Sequence, residues 1–123
     1  MNAFVPTNAA VWFEIPVSDQ QRSKDFYAAV TGNPLEDEAG GPNAMARFTA
    51  QGEASVSGHI YPGKPAASGT GPTIHLAVND VDAAVARVAE AGGKVVSPVI
   101  SIPAGRFAYC LDLDGNSFGV FSS

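Results

Sequence analysis

A strand-forming pattern that ends in a helix cap occurs twice in this chain, first as Trp12-Phe13-Glu14-Ile15-Pro16-Val17-Ser18-Asp19 and again as Thr73-Ile74-His75-Leu76-Ala77-Val78-Asn79-Asp80. The offset between the two copies is constant at 61 positions (73 − 12 and 80 − 19). In both copies every second residue is apolar, which is the period of a strand with one buried face. A repeat that stays in register predicts an internal duplication, so we expect two similar halves.

Each copy is followed by signals for one helix and further strands. Asp19 and Asp80 are placed to cap helices, and the first helix is expected to end at Gly32, which takes the left-handed cap conformation readily. The order predicted in each half is strand, helix, strand, strand, strand. The later strands are expected from Leu35, at 45–50 and at 54–61 in the first half, with a break at 40–43, and at 94–102, 106–113 and 117–122 in the second half.

The length and composition indicate a single folded domain. The chain has 123 residues, of which 46% are hydrophobic and 15% charged, which suits a globular core. Residues 62–72 are rich in glycine and proline and have no hydrophobic period, which is typical of a linker. We therefore predict one domain over 1–123, with module one at about 8–61, the linker at 62–72 and module two at 73–122.

The charge balance disfavours polyanionic partners. The formal net charge is −5 and the pI about 4.7, whereas nucleic acids and anionic membranes attract basic surfaces. Cys110 is the only cysteine, so no internal disulfide forms. The chain shows neither a secretory signal pattern nor the ~18 consecutive apolar residues of a membrane span. We expect a cytoplasmic protein whose partner is a small molecule, not nucleic acid or membrane.

Five short motifs follow one another along nearly the whole chain. They are Val17-Ser18-Asp19, Phe26-Tyr27 before Gly32, Val78-Asn79-Asp80, Glu90-Ala91-Gly92-Gly93 and Asp112-Leu113-Asp114-Gly115-Asn116. In this order they resemble the vicinal-oxygen-chelate superfamily, which includes glyoxalase I, extradiol dioxygenases and bleomycin-resistance proteins. The resemblance implies an α+β fold of two βαβββ modules whose curved mixed sheets form a cleft, with the helices packed outside. It also implies a homodimer, because clefts of bleomycin-resistance proteins lie at dimer interfaces.

Members of this superfamily that use a metal ion take four ligands from four strands. The resemblance places these positions on Trp12, Thr73, Gly119 and a residue near Gly58, and at least three of the four supply no ligand. It therefore predicts no metal and no cofactor. A displaced site of Glu14 and His75, joined by His59 if its strand is shifted by one residue, remains an alternative. Such donors suit zinc or iron, and zinc, nickel or iron is expected if that alternative holds.

Glu14 and His75 are the best candidates for catalytic residues. They share a strand face with Trp12 and Thr73 and occupy equivalent positions in the duplication. The leading interpretation is a hydrogen-bonded Glu14–His75 pair in the cleft floor, and the alternative is an acid–base pair. Trp12 and Phe121 have two equally favoured interpretations. Their rings either stack on a ligand as part of the cleft wall or pack in the hydrophobic core. The predicted ligand-binding residues are Trp12, Glu14, Thr73, His75 and Phe121.

Four further residues have two interpretations each, and in each the structural one is preferred. Arg106 is interpreted as an exposed surface arginine and not as a residue that binds a substrate carboxylate. Cys110 is interpreted as an unreactive thiol in the core and not as a nucleophile. Asp112 and Asp114 are interpreted as turn residues without chemistry.

The preferred function is that of a small-molecule binding protein of the glyoxalase and bleomycin-resistance type that lacks the usual metal centre. The main alternative is a lyase or isomerase related to lactoylglutathione lyase, with a displaced metal site or a metal-free Glu14/His75 pair. An accessory subunit without a ligand of its own is a third interpretation, since one fold hosts many functions.

Overall fold

The computed structural model describes residues 4–39, 44–52 and 54–123 and contains the two predicted modules. The predicted chain break at 40–43 lies outside these ranges. Module one consists of β1 (Trp12–Val17), α1 (Gln20–Thr31), β2 (Glu36–Glu38), β3 (Met45–Arg47) and β4 (Ser57–Pro62). Module two consists of β5 (Ile74–Ala77), α2 (Val81–Glu90), β6 (Lys94–Val95), β7 (Ile100–Ile102), β8 (Gly105–Leu111) and β9 (Ser117–Ser122).

Each module contributes one mixed sheet. The first sheet has the strand order β1-β4-β3-β2, and the second has the order β5-β9-β8-β6, with β7 also paired to β8. The first and last strands of each module pair in parallel, while the other pairs are antiparallel. Parallel neighbours need a long crossover, which the helix and the intervening strands supply. The α+β fold with two mixed sheets is thus confirmed.

The helix ends lie where the capping signals predict them. A side-chain oxygen of Asp19 accepts a hydrogen bond from the Arg22 amide at 3.1 Å, and Asp80 does the same for Ala83 at 3.3 Å. Gly32 adopts a left-handed φ of 79°, and its amide donates to the Ala28 carbonyl. These caps satisfy backbone groups that would otherwise have no partner at the helix termini.

One hydrophobic core joins the two modules within a single chain. The ring of Phe118 on β9 lies 5.9 Å from Phe26 and 5.4 Å from Tyr27 on α1, so the helix of module one packs on the sheet of module two. Arg87 of α2 donates hydrogen bonds to the carbonyl oxygens of Ala29 and Val30 at the end of α1. These contacts fix one module against the other.

The predicted strand at 94–102 is two strands in the structure. Pro98 lies between β6 and β7 and has no amide hydrogen to donate to a sheet. Both short strands still pair with β8, so the interruption leaves the sheet order unchanged. None of the helices in the described part of the chain is long and apolar enough to span a membrane.

The alternation within β1 and β5 separates a core face from an open face. Ile15 and Val17 of β1 and Leu76 of β5 are buried in the common core. Trp12, Glu14, Thr73 and His75, which have the opposite parity, are exposed. The residues predicted to form the site therefore lie on the open faces of the two sheets.

Candidate functional site

The open face of the first sheet carries a hydrogen-bonded cluster of Trp12, His59 and Glu14. The parallel register of β1 and β4 sets Glu14 directly opposite His59. The indole Nε1 of Trp12 donates to Nδ1 of His59 at 2.9 Å, and Nε2 of His59 lies 3.2 Å from Oε1 of Glu14. An indole nitrogen donates only, so Nδ1 must accept and the imidazole proton is assigned to Nε2, facing the carboxylate.

This cluster corrects the predicted Glu14–His75 pair. Glu14 has His59 as its partner because β4, not β5, is the neighbour of β1 within the sheet. The expected need to shift His59 by one residue was also wrong, since the parallel register places it on the face of Trp12 and Glu14. Gly58 faces the opposite side, where an added Cβ would meet the ring of Phe13.

His75 lies instead within an aromatic cluster on the open face of the second sheet. Its ring is 5.4 Å from Phe107, 5.7 Å from Tyr109 and 6.3 Å from Phe121, measured between centroids. A side chain at Gly119 would overlap the His75 ring, so glycine is required there by close approach. Within the described ranges, neither ring nitrogen of His75 has a hydrogen-bonding partner.

A cavity of about 560 Å³, called here the β1–β5 cavity, is lined by residues of both strands. This volume falls in the usual range for ligand sites, roughly 300–1,000 Å³. Trp12, Thr73 and His75 all line it. The other lining residues are Ala10, Phe13, Thr31, Asn33, Phe48, Thr49, Ala50, Gln51, Val56, Ser57, Ile74, Leu76 and Ala77.

A second cavity of about 420 Å³ adjoins the first and shares Trp12, Ala50 and Ser57 with it. Arg47 lines this second cavity, but its guanidinium already contacts Glu36 at 2.9 Å and Glu38. The hydrogen bond to Glu38 raises the pKa of Arg47. The arginine is therefore committed to neighbouring carboxylates, and Trp12 forms part of the wall of both cavities.

The predicted ligand residues are divided between three places. Trp12, Thr73 and His75 meet at the β1–β5 cavity, Glu14 joins His59, and Phe121 lies beside His75. Sequence reasoning missed Phe107 and Tyr109, although their alternation with Ala108 and Cys110 along β8 is visible in the sequence. That alternation places the side chains of Phe107 and Tyr109 on the open face of the second sheet.

The remaining candidates have structural partners. Arg106 forms an ion pair with Asp82 on α2, and this contact lowers the pKa of that carboxyl group. Cys110 is buried, and burial raises the pKa of its thiol to about 11. Asp112 accepts hydrogen bonds from the Tyr27 hydroxyl and from the Asp114 and Asn116 amides.

The residues at two of the ligand positions, Trp12 and Gly119, do not fit the metal ion that metal-using members of the superfamily bind. Trp12 offers only an N–H donor, and that hydrogen is given to His59. Gly119 has no side chain, and the space above it is filled by His75. Among the residues that the structure describes, no group of three or more His, Cys, Asp or Glu side chains is arranged to hold a metal ion, and this includes Glu14, His59 and His75.

Known proteins share both the sequence pattern and the fold of this chain. A family model described as "Glyoxalase/Bleomycin resistance protein/Dioxygenase superfamily" matches residues 9–120. "Putative glyoxylase CFP32" of Mycobacterium tuberculosis is 33% identical over 118 residues, which are 91% of this chain and 44% of that protein. The chain thus spans less than half the length of this relative.

Two solved structures from Streptomyces sp. CB03234 are similar over almost their whole length. A glyoxalase/bleomycin resistance protein is 31% identical with a TM-score of 0.67, covering 89% of this chain and 96% of its own. TnmS3, described as an antibiotic binding protein, is 29% identical with a TM-score of 0.68, covering 97% and 98% respectively.

Proposed function

Because this chain belongs to the glyoxalase/bleomycin resistance protein/dioxygenase superfamily, we propose that it binds a small organic molecule in the β1–β5 cavity without a metal ion. The observation that carries the proposal is the make-up of this cavity, which joins the rings of Trp12, Phe13 and Phe48 to hydrogen-bonding groups of Thr73 and His75. An apolar cavity with a few convergent polar groups is the usual form of a ligand site.

Two further observations support binding without a metal. The donors that a displaced site requires are separated, since Glu14 and His59 satisfy each other while His75 lies among aromatic rings. The structural relative TnmS3 is described as an antibiotic binding protein, and its match extends over 97% of this chain. Sequestration of an antibiotic-like compound is a concrete form of this proposal.

Trp12 is the only tryptophan in the chain and lines the cavity, so its fluorescence reports directly on binding. A screen of small aromatic compounds by thermal shift, followed by fluorescence titration of the hits, tests the proposal. A ligand at 100 times its dissociation constant stabilises a protein by about 2.7 kcal/mol, which is readily measured. We expect hits whose binding is unchanged by EDTA and a metal content near background in protein purified without chelator.

Near-stoichiometric zinc, nickel or iron, together with loss of ligand binding in EDTA, would contradict metal-free binding.

A glyoxalase-like lyase is the second candidate, and the Glu14–His59 pair is the observation that favours it. For proton transfer, however, His59 needs a free nitrogen, and Trp12 occupies Nδ1 while Glu14 faces Nε2. Thioester formation from methylglyoxal and glutathione, followed spectroscopically, would favour this second candidate over simple binding.

The proposal includes a homodimer in the cytoplasm. Val96, Ile102 and Tyr109 are large apolar side chains that remain exposed on module two, as expected for a surface that another chain covers. Cys110 is unpaired and buried, which is compatible with a reducing compartment. Light scattering coupled to size-exclusion chromatography tests the dimer, and a monomer at micromolar concentration would contradict it.

A further inference from the structure

We infer that the β1–β5 cavity selects an uncharged aromatic ligand that carries hydrogen-bonding groups, and that it discriminates against ions, most strongly against anions. This inference rests on the proposed function, because it names the chemical class of the ligand for that cavity. It is carried by the charges that are near the cavity and by the hydrogen bonds that its polar side chains already make.

None of the described residues that line the cavity is Asp, Glu, Lys or Arg. The polar lining groups are hydroxyls, amides and one imidazole, contributed by Thr31, Asn33, Thr49, Gln51, Ser57, Thr73 and His75. A charged group that leaves water needs an opposite charge or several hydrogen bonds to compensate its lost solvation. A neutral ligand avoids this cost.

The wall of the β1–β5 cavity offers no cation to an anionic ligand, because none of the seven Lys and Arg residues lines it. Arg47 lines the adjoining cavity but is paired with Glu36 and Glu38, and Lys24 is 3.0 Å from Asp37. An anion in the β1–β5 cavity would therefore meet no counter-ion, while the net charge of −5 would repel it at long range.

A cation meets a weaker penalty than an anion. The same net charge attracts it from solution, although salt screens this attraction beyond about 8–10 Å. The face of Trp12 also offers a cation–π contact. The expected order of affinity is therefore neutral first, cation second and anion last.

Several polar side chains in the cavity are already committed to the protein itself. The hydroxyl of Thr31 donates to the Tyr27 carbonyl, that of Ser57 to the Phe48 carbonyl, and that of Thr49 to the Pro34 carbonyl. In the described part of the chain, the side chains of Asn33, Gln51, Thr73 and His75 have no such bonds. These four are the groups left to meet the polar atoms of a ligand.

Three compounds with one ring system test the inference. They are 2-(hydroxymethyl)anthraquinone, which is neutral, anthraquinone-2-sulfonate, and the corresponding trimethylammonium-methyl derivative. Titration of each at pH 7 and 0.15 M salt, followed by quenching of Trp12 fluorescence, gives three dissociation constants. We expect the neutral compound to bind at least tenfold more tightly than the sulfonate, with the cation between them.

Two matched variants place a positive charge inside or outside the cavity. Val56 lines it and is 44% exposed, whereas Ala86 is exposed on α2 and lies outside it. Val56→Lys is expected to raise the affinity for the sulfonate at least fivefold, while Ala86→Lys leaves it unchanged. Ala77→Lys, at another exposed lining position, serves if Val56→Lys does not fold by circular dichroism.

The three-compound series decides the question even without the variants. Sulfonate binding as tight as that of the neutral compound, in the unaltered protein, would overturn the inference and leave the proposed function intact. Failure of all three compounds to bind would contradict the proposed function, and the inference with it. An equal gain in sulfonate affinity from both lysine variants would show a general charge effect and would also overturn the inference.

Discussion

The indole nitrogen of Trp12 donates a 2.9 Å hydrogen bond to Nδ1 of His59, and this bond determines where the imidazole carries its proton. His59 is only 7% exposed, whereas Trp12 is 43% exposed at the cavity wall. A buried acceptor thus holds an exposed aromatic ring in one orientation. The bond prearranges the wall against which a ligand would stack, and such prearrangement reduces the entropy lost on binding.

His59→Phe tests this relationship because phenylalanine keeps the ring but removes the nitrogen that accepts from Trp12. We expect the dissociation constant of a cavity ligand to rise about three- to tenfold, since ordering a free side chain costs about 0.5–1.5 kcal/mol. Fluorescence titration measures the constant. Glu14→Gln is the matched control, because its amide oxygen still accepts from Nε2 of His59 and a smaller change is expected. Equal constants for His59→Phe and the unaltered protein would contradict the role of His59.

Gly119→Ala should destabilise the fold, because the added Cβ would overlap the ring of His75. Overpacking of this kind typically costs about 1–3 kcal/mol. Urea denaturation followed by circular dichroism measures the loss. The double variant Gly119→Ala/His75→Ala removes the overlapping ring and should recover most of the stability. If the two substitutions are simply additive, the close approach of Gly119 and His75 is not the cause.

Tyr27→Phe removes the hydroxyl that donates to Oδ2 of Asp112 at 2.6 Å. Asp112 is only 5% exposed, so the lost bond should cost about 1–3 kcal/mol in urea denaturation at pH 7. Tyr61→Phe is the control, because the Tyr61 hydroxyl makes no hydrogen bond within the described ranges. Equal stability losses in the two variants would contradict a specific role for the Tyr27–Asp112 bond.

The same tyrosine should make stability sensitive to alkali. Burial, and then the Asp112 carboxylate, raise the pKa of Tyr27 well above its ordinary value. The unfolded chain therefore releases this proton at a lower pH than the folded chain does. The contribution is fully present below about pH 10, the unfolded pKa, and is lost as pH rises toward the folded value. Unfolding free energies measured from pH 9 to 11 should fall less steeply in Tyr27→Phe.

Cys110 should resist thiol reagents while the protein is folded. Burial raises the pKa of its thiol to about 11, so at pH 8 roughly one molecule in a thousand carries the thiolate, and the sulfur is also enclosed. Labelling with Ellman's reagent should proceed only at the rate of unfolding. A Ser101→Cys/Cys110→Ala variant, with its thiol exposed on β7, should label within minutes. Comparable rates for the two proteins would contradict an enclosed thiol.

Elements that depend on local patterns were predictable. The alternation in β1 and β5, the caps at Asp19 and Asp80 and the left-handed Gly32 all have the predicted positions. The division of the predicted strand at 94–102 into β6 and β7 was less predictable. A proline interrupts the strand there, but both parts still pair with β8. The face on which Trp12, Thr73 and His75 lie followed from parity, since side chains of a strand alternate strictly.

By itself the sequence determined that this chain contains two similar modules, which residues of each strand face the core, and that the positions of the usual ligands are poor in donors. Only the tertiary structure decided which polar groups meet. The offset of 61 residues makes Glu14 and His75 equivalent, but equivalence in a duplication is not contact. Strand pairing inside each sheet brings Glu14 to His59, because hydrogen-bond register, and not position along the chain, sets which side chains lie opposite each other.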